Sequence, residues 1–150
     1  MTFGEAVSTC LRAYAGIRGR ARRSEFWWFQ LFAAVLWLPT VAAFSLLWGA
    51  AFEGSLAPAE DPAINPDSVG WGALTGAFGV VVVYLVVVVI PSLSVWARRL
   101  HDTGMSSAWI LLSVVGLGII PLIMAIPQGQ PGANKYGPDP RVHPRVAASR

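Results

Sequence analysis

The chain has 150 residues, enough for one domain, yet 55% of it is hydrophobic and only 13% charged, against roughly 25% charged in soluble domains. So much apolar surface exceeds what a soluble fold of this size can hide, so the chain reads as an all-α, polytopic membrane protein. Its net charge of +3 is carried by clustered arginines, which serve orientation and lipid-surface contact and argue against nucleic acid, while a single cysteine, Cys10, excludes a disulfide-stapled scaffold.

Residues 2–15 form an expected amphipathic helix. Thr2 and Glu5 have capping-box spacing. Phe3, Ala6, Val7, Cys10, Leu11 and Tyr14 make one stripe of a 3.6-residue period, and Gly16 can stop the helix. Either the stripe lies in the headgroup plane as an interfacial helix, or it packs on the membrane helices.

Arg18-Gly-Arg-Ala-Arg-Arg23 follows, then Ser24 as a candidate helix cap, then the aromatic quartet Phe26-Trp-Trp-Phe29 where an interfacial belt belongs. From Phe26 to Phe52 no residue is charged, so a span is expected over about 26–51, kinked at Pro39 and retained as an anchor rather than cleaved. Residues 53–70 are acidic and proline-rich, without Lys or Arg. The positive-inside rule therefore places the N-terminus in the cytoplasm and this loop outside. Its acids match no calcium-loop spacing.

A second span is expected over 71–97. It opens with Gly72-Ala-Leu-Thr-Gly76, a small-residue face that permits close helix contact and a homo-oligomer. It continues through a β-branched run to Pro91, where a kink is expected. Ala108 to Ile126 is a third apolar segment of nineteen residues, with Gly116, Gly118 and Pro121 in its middle. Three true spans are favoured over a re-entrant hairpin, although the basic tail residues Lys135, Arg141, Arg145 and Arg150 would also prefer the inside. Residues 1–140 thus make one membrane domain, and 141–150 a disordered end to an irregular tail.

Ser94 to Gly104 places an ionisable cluster directly between two long apolar runs. Arg98 and Asp102 are i, i+4 and are expected to pair, while Arg99 and His101 project elsewhere and Gly104 ends the helix. As a flank this is a stop signal; as a site, Arg98, Arg99, His101 and Asp102, with Arg20, Arg22 and Arg23, are candidate contacts for an anionic headgroup or partner. No metal site is expected: His101 and Asp102 are adjacent and diverge, and His143 lacks ligand spacing. No catalytic residue and no cofactor is expected either. Cys10 has no evident base, and the glycines have no phosphate-loop order.

Three strings together are more specific than any one. Gly19-Arg-Ala-Arg-Arg-Ser-Glu-Phe-Trp-Trp-Phe29, Arg98-Arg-Leu-His-Asp-Thr-Gly104 and Gly132-Ala-Asn-Lys-Tyr-Gly-Pro-Asp-Pro140 occur in an order that resembles a family of small bacterial inner-membrane proteins, domain of unknown function 805. The resemblance covers about residues 3–140. It departs at Met105, where a basic residue is expected, and in a longer acidic loop. It implies an inner-membrane protein of a few helices with no established activity. It also marks Asn134, Tyr136, Gly137 and Asp139 as a tail motif. The expected function is an interaction or lipid-contacting membrane component. The alternatives are an oligomeric transporter or channel subunit, and a membrane enzyme using the Arg/His/Asp cluster.

Overall fold

Two long apolar helices carry most of the hydrophobic sequence. In the computed structural model, which describes residues 1–53 and 69–141, helix α2 runs Arg23–Phe52 and a second continuous helical run spans Trp71–Asp102. At ~1.5 Å per residue either is longer than the ~30 Å hydrocarbon core. Only 6% and 11% of their most apolar stretches are buried, which excludes the core helix of a soluble fold. Among the described residues there is no strand, only an isolated bridge between Asn134 and Gly137. Most of the expected outer loop (54–68) and the tail beyond 141, with His143, lie outside the described residues.

Both prolines are accommodated. Helix α2 continues through Pro39, and the Thr40 hydroxyl donates to the Leu36 carbonyl at 2.7 Å. The second run comprises α3 (Trp71–Tyr84), a π-helical turn (Leu85–Val89) and α4 (Ile90–Asp102). Pro91 has no N–H to give the carbonyl four residues back, and the widened turn sits where that bond is missing. The helix runs on past residue 97, where the span was expected to end, as far as Asp102, so the charged cluster is helical.

The chain divides into two compact units. In one, residues 33–88 pair α2 with α3. The Tyr84 hydroxyl donates to the Ala33 carbonyl at 3.1 Å, Trp37 lies 5.5 Å from the Tyr84 ring, and Trp48 meets Phe78 edge-on at 6.2 Å. Gly76 faces α2, where an added Cβ would stand 3.6 Å from Leu47, whereas nothing lies within 4 Å of one at Gly72.

The other unit holds residues 1–32 and, among the described residues, 89–141. Helix α1 (Phe3–Ala13) starts with the capping box formed: the Thr2 side chain accepts from the Glu5 N–H at 3.3 Å, and the Glu5 carboxylate accepts from the Thr2 N–H at 2.8 Å. Cys10, Ala21, Phe26, Phe29, Val95 and Ala125 form the core, flanked by Phe32, Trp96 and Leu122. Ser24 is not the cap of α2. The helix begins two residues earlier, at Arg23, with the Arg22 carbonyl accepting from the Phe26 N–H, so Ser24 lies in its first turn.

The expected third span does not form as one helix. Ala108 to Ile126 is a 3₁₀ turn (Ser107–Ile110), α5 (Leu111–Val114), a reversal, and α6 (Ile119–Ala125). Gly116, at φ +83°, is the cause. The Leu117 N–H bonds back to the Leu112 carbonyl and the Gly116 N–H to that of Ser113, a Schellman stop that only a left-handed residue closes cheaply. The described residues therefore contain two candidate spans.

Candidate functional site

Helix α4 ends inside protein. From Ala97 to Asp102 every residue is buried, including Arg98, Arg99, His101 and Asp102. A second Schellman motif terminates it at Gly104 (φ +83°), with the Met105 N–H on the Leu100 carbonyl and the Gly104 N–H on that of His101. Burying four ionisable side chains in two turns is tolerable only if each finds partners. The partners come from the N-terminal loop and from the segment after α6.

Arg98 and Asp102 do not pair with each other, contrary to their i, i+4 spacing. Arg98 reaches Glu25 in the first turn of α2 at 2.6 Å, with the Cys10 sulfur 4.0 Å away. Asp102 is shared between Arg20, whose Nε donates at 2.9 Å, and Arg99, one turn back on the same helix. The correction has a physical reason. An exposed i, i+4 pair is weak, whereas these side chains are buried and each takes the counter-charge that tertiary packing presents.

The guanidiniums are also filled by carbonyls. Arg20 donates to Gly132 and Gln130, and Arg99 to Pro127 and, at 2.9 Å, to Ala125. The backbone follows: the Ala21 N–H donates to Arg98 at 3.0 Å and the Gln130 N–H to Asp102 at 2.8 Å. Gly129 passes so close that a Cβ there would land on the Asp102 carboxylate. The buried Cys10 thiol donates to Glu25 at 3.7 Å, and burial, then the Glu25 charge, push its pKa up to about 12. It is a neutral packing group at physiological pH.

The tail motif docks on the same helix end. Asn134 donates to the His101 carbonyl at 2.9 Å and accepts from the Tyr136 N–H at 2.9 Å. The Tyr136 ring stacks on the His101 imidazole at 3.9 Å and 6°. His101 Nδ1 faces the Gly19 carbonyl at 3.3 Å; a carbonyl only accepts, so that nitrogen carries the proton. Asp139 accepts from the Gly132 N–H at 3.1 Å and pairs with Arg141 at 2.9 Å. Arg141 first, by direct hydrogen bonding, holds the Asp139 carboxyl well below the usual carboxylate range. Gly137, at φ +143°, closes the loop through paired bonds with Asn134.

Of the predicted candidates, Arg20, Arg98, Arg99, His101 and Asp102 are brought together and buried, with Asn134 and Tyr136 packed around them. Arg22 and Arg23 instead line a cavity of about 360 Å³ beside the cluster, with Ser24, Arg99, Asp102, Gln128, Gly129 and Arg141. Sequence reasoning missed Glu25, Gln130, Gly129 and Arg141 as participants. The one signal was Glu25, a lone acid in an arginine-rich flank. Among the described residues no group of His, Cys, Asp or Glu is arranged to hold a metal.

Three remote strings thus close on the end of one membrane helix, and the molecule is a small helical membrane protein with a charged clasp. The chain belongs to the family described as Protein of unknown function (DUF805), whose model matches residues 14–138. Inner membrane protein YhaH of Escherichia coli (strain K12) is 31% identical over 136 residues, covering 89% of this chain and 94% of that protein. Inner membrane protein YhaI of the same strain is 31% identical over 133 residues, covering 87% and 91%. No solved structure matches the chain.

Proposed function

We propose that this protein is an inner-membrane interaction component that contacts anionic lipid headgroups from the cytoplasmic side, with two spans and both termini in the cytoplasm. The carrying observation is the exposed surface around the clasp. Helix α1 turns Ala6 and Cys10 inward and leaves Phe3, Leu11 and Tyr14 exposed. Trp27 and Trp28 are 41% and 39% exposed at the start of α2. Apolar and indole groups beside arginines suit the headgroup boundary, where rings sit at the interface and guanidiniums meet phosphates. Each of Arg98, Arg99, His101 and Asp102 has a partner within the chain, which favours architecture over chemistry at the clasp and weighs against the enzyme reading.

The topology reading rests on contact between both ends of the chain and α4. Arg20 precedes the first span and Gly132 follows α6, yet they hydrogen-bond. Two spans with joined ends return the chain to its starting side, and the arginine flank makes that side the cytoplasm. The test is quenching of Trp27 and Trp28 by brominated lipids in nanodiscs. Strong quenching by lipids brominated near the headgroup, lost in Trp27→Ser/Trp28→Ser, supports the reading. Equal quenching without those tryptophans contradicts it.

Self-association is a second reading. An apolar groove of about 570 Å³ in the α2–α3 unit is lined by Pro39, Gly76, Gly79, Val80 and Val83 among others. Small residues there suit a helix of a second copy. Gly79→Leu would abolish a dimer seen by light scattering in detergent; a monomeric wild type ends the idea.

A further inference from the structure

The geometry points to a binding site for a phosphate-bearing anion in the cavity where the start of α2, the end of α4 and the segment after α6 meet. This deepens the headgroup reading above and rests on it only for where the ligand comes from. Four arginines line the cavity, Arg22, Arg23, Arg99 and Arg141, with the Arg99 side chain fully buried in its wall, and Asp102 is the one acid among the lining residues.

The decisive point is which of these charges is already answered. Arg141 has Asp139. Asp102 serves two guanidiniums at once, Arg20 and Arg99. Among the described residues the half-buried Arg22 side chain donates only to the Pro140 carbonyl, and the exposed Arg23 side chain has no hydrogen bond or ion pair. Arg23 and Arg141 line the same cavity as Arg99. Like charges gathered round a hollow, short of carboxylates, call for an anion that completes the set.

The chemistry of that anion follows from the donors. A guanidinium presents a planar fork that matches two oxygens of a phosphoryl group, and several forks match one phosphate better than several carboxylates. Arg23 and Ser24 lie in the first turn of α2, where orphan backbone N–H groups and the helix dipole favour negative charge. At about 360 Å³ the cavity is at the small end of ligand pockets, roughly 300–1,000 Å³, so it suits a phosphoryl group with a short substituent. A lipid headgroup and a free phosphate share this chemistry.

The experiment uses the full chain. Inorganic phosphate is titrated against protein in zwitterionic phosphatidylcholine nanodiscs, and lipid retention is measured in nanodiscs containing phosphatidate or phosphatidylglycerol. Saturable binding is expected for at least one probe. Arg22→Gln/Arg23→Gln is expected to weaken it about 100-fold, roughly tenfold for each charge-assisted hydrogen bond removed. The matched control Arg12→Gln/Arg18→Gln removes the same charge from positions outside the cavity and is expected to leave it unchanged. Binding of phosphate alone marks a soluble ligand, and retention of anionic lipid alone marks a headgroup; either supports the site. Equal weakening by both double variants means diffuse attraction and overturns it, as does saturable binding of neither probe. Retained hydrogen-exchange protection at Gln130 in the pocket variant separates lost binding from lost folding. The headgroup reading fails separately, through tryptophan quenching, which does not depend on Arg22 or Arg23.

Discussion

Replacing Asp102 with asparagine tests the clasp most severely. The substitution keeps the shape and removes the one carboxylate shared by Arg20 and Arg99, whose side chains are 1% and 0% exposed. Leaving a buried charge without its partner costs about 3–5 kcal/mol. Both guanidiniums keep carbonyl acceptors, on Gln130 and Gly132 for Arg20 and on Ala125 and Pro127 for Arg99. The lower half of that range is therefore expected, enough to raise the detached population of the segment after α6 roughly 10²- to 10³-fold. Native-state hydrogen exchange in nanodiscs reads this at the Gln130 amide, which donates to the Asp102 carbonyl. Protection there should collapse while α2 and α3 amides stay protected. Removing one orphaned charge, in Arg20→Gln/Asp102→Asn, should recover part of it. Unchanged exchange at Gln130 in Asp102→Asn would refute the reasoning.

Other consequences are as definite. Cys10, with its thiol pushed up to about 12, should resist iodoacetamide at mildly alkaline pH until the protein is denatured; rapid alkylation of the native protein contradicts the buried Cys10–Glu25–Arg98 contact. Because its pKa is raised, the thiol favours the fold at neutral pH and loses that contribution only as pH climbs toward the raised value. Gly129→Ala should loosen the segment after α6, since the added Cβ lands on the Asp102 carboxylate, and proteolysis between residues 127 and 141 would show it; a cleavage rate like wild type argues against that close approach. Asp139 has a depressed pKa, so its contribution is present above the normal carboxylate value and lost only well below it. Gly132 amide protection should therefore persist at about pH 4, near the unperturbed aspartate value, and its loss there is the contrary result.

How much of this was legible in the sequence depended on distance along the chain. The Thr2–Glu5 box is local, three residues apart, and was readable from spacing alone. The two spans were readable because a long uncharged stretch has few homes other than lipid. The third segment left a span and a hairpin open because hydropathy counts residues and is blind to backbone turns, whereas Gly116 at φ +83° sets where the helix stops. Arg98 misled for the opposite reason. Its local partner was in plain view at Asp102, but Glu25, 73 residues away, offers a buried counter-charge. The three strings were recognisable as belonging together, though nothing in their order said that they touch. Arg22 and Arg23 looked equivalent to Arg20 in one basic run. Only the fold separates the side chain buried in the clasp from the two that face the cavity.

The sidedness of the two chain ends tests the central claim most directly. A single cysteine at position 1 or at position 142, in a Cys10→Ser background, would be labelled with a membrane-impermeant maleimide in intact spheroplasts and again after lysis. The account predicts that both positions are protected in intact cells and both react after lysis, because the segment after α6 folds back onto α4 beside the N-terminal loop. Labelling of one end but not the other in intact spheroplasts would contradict it.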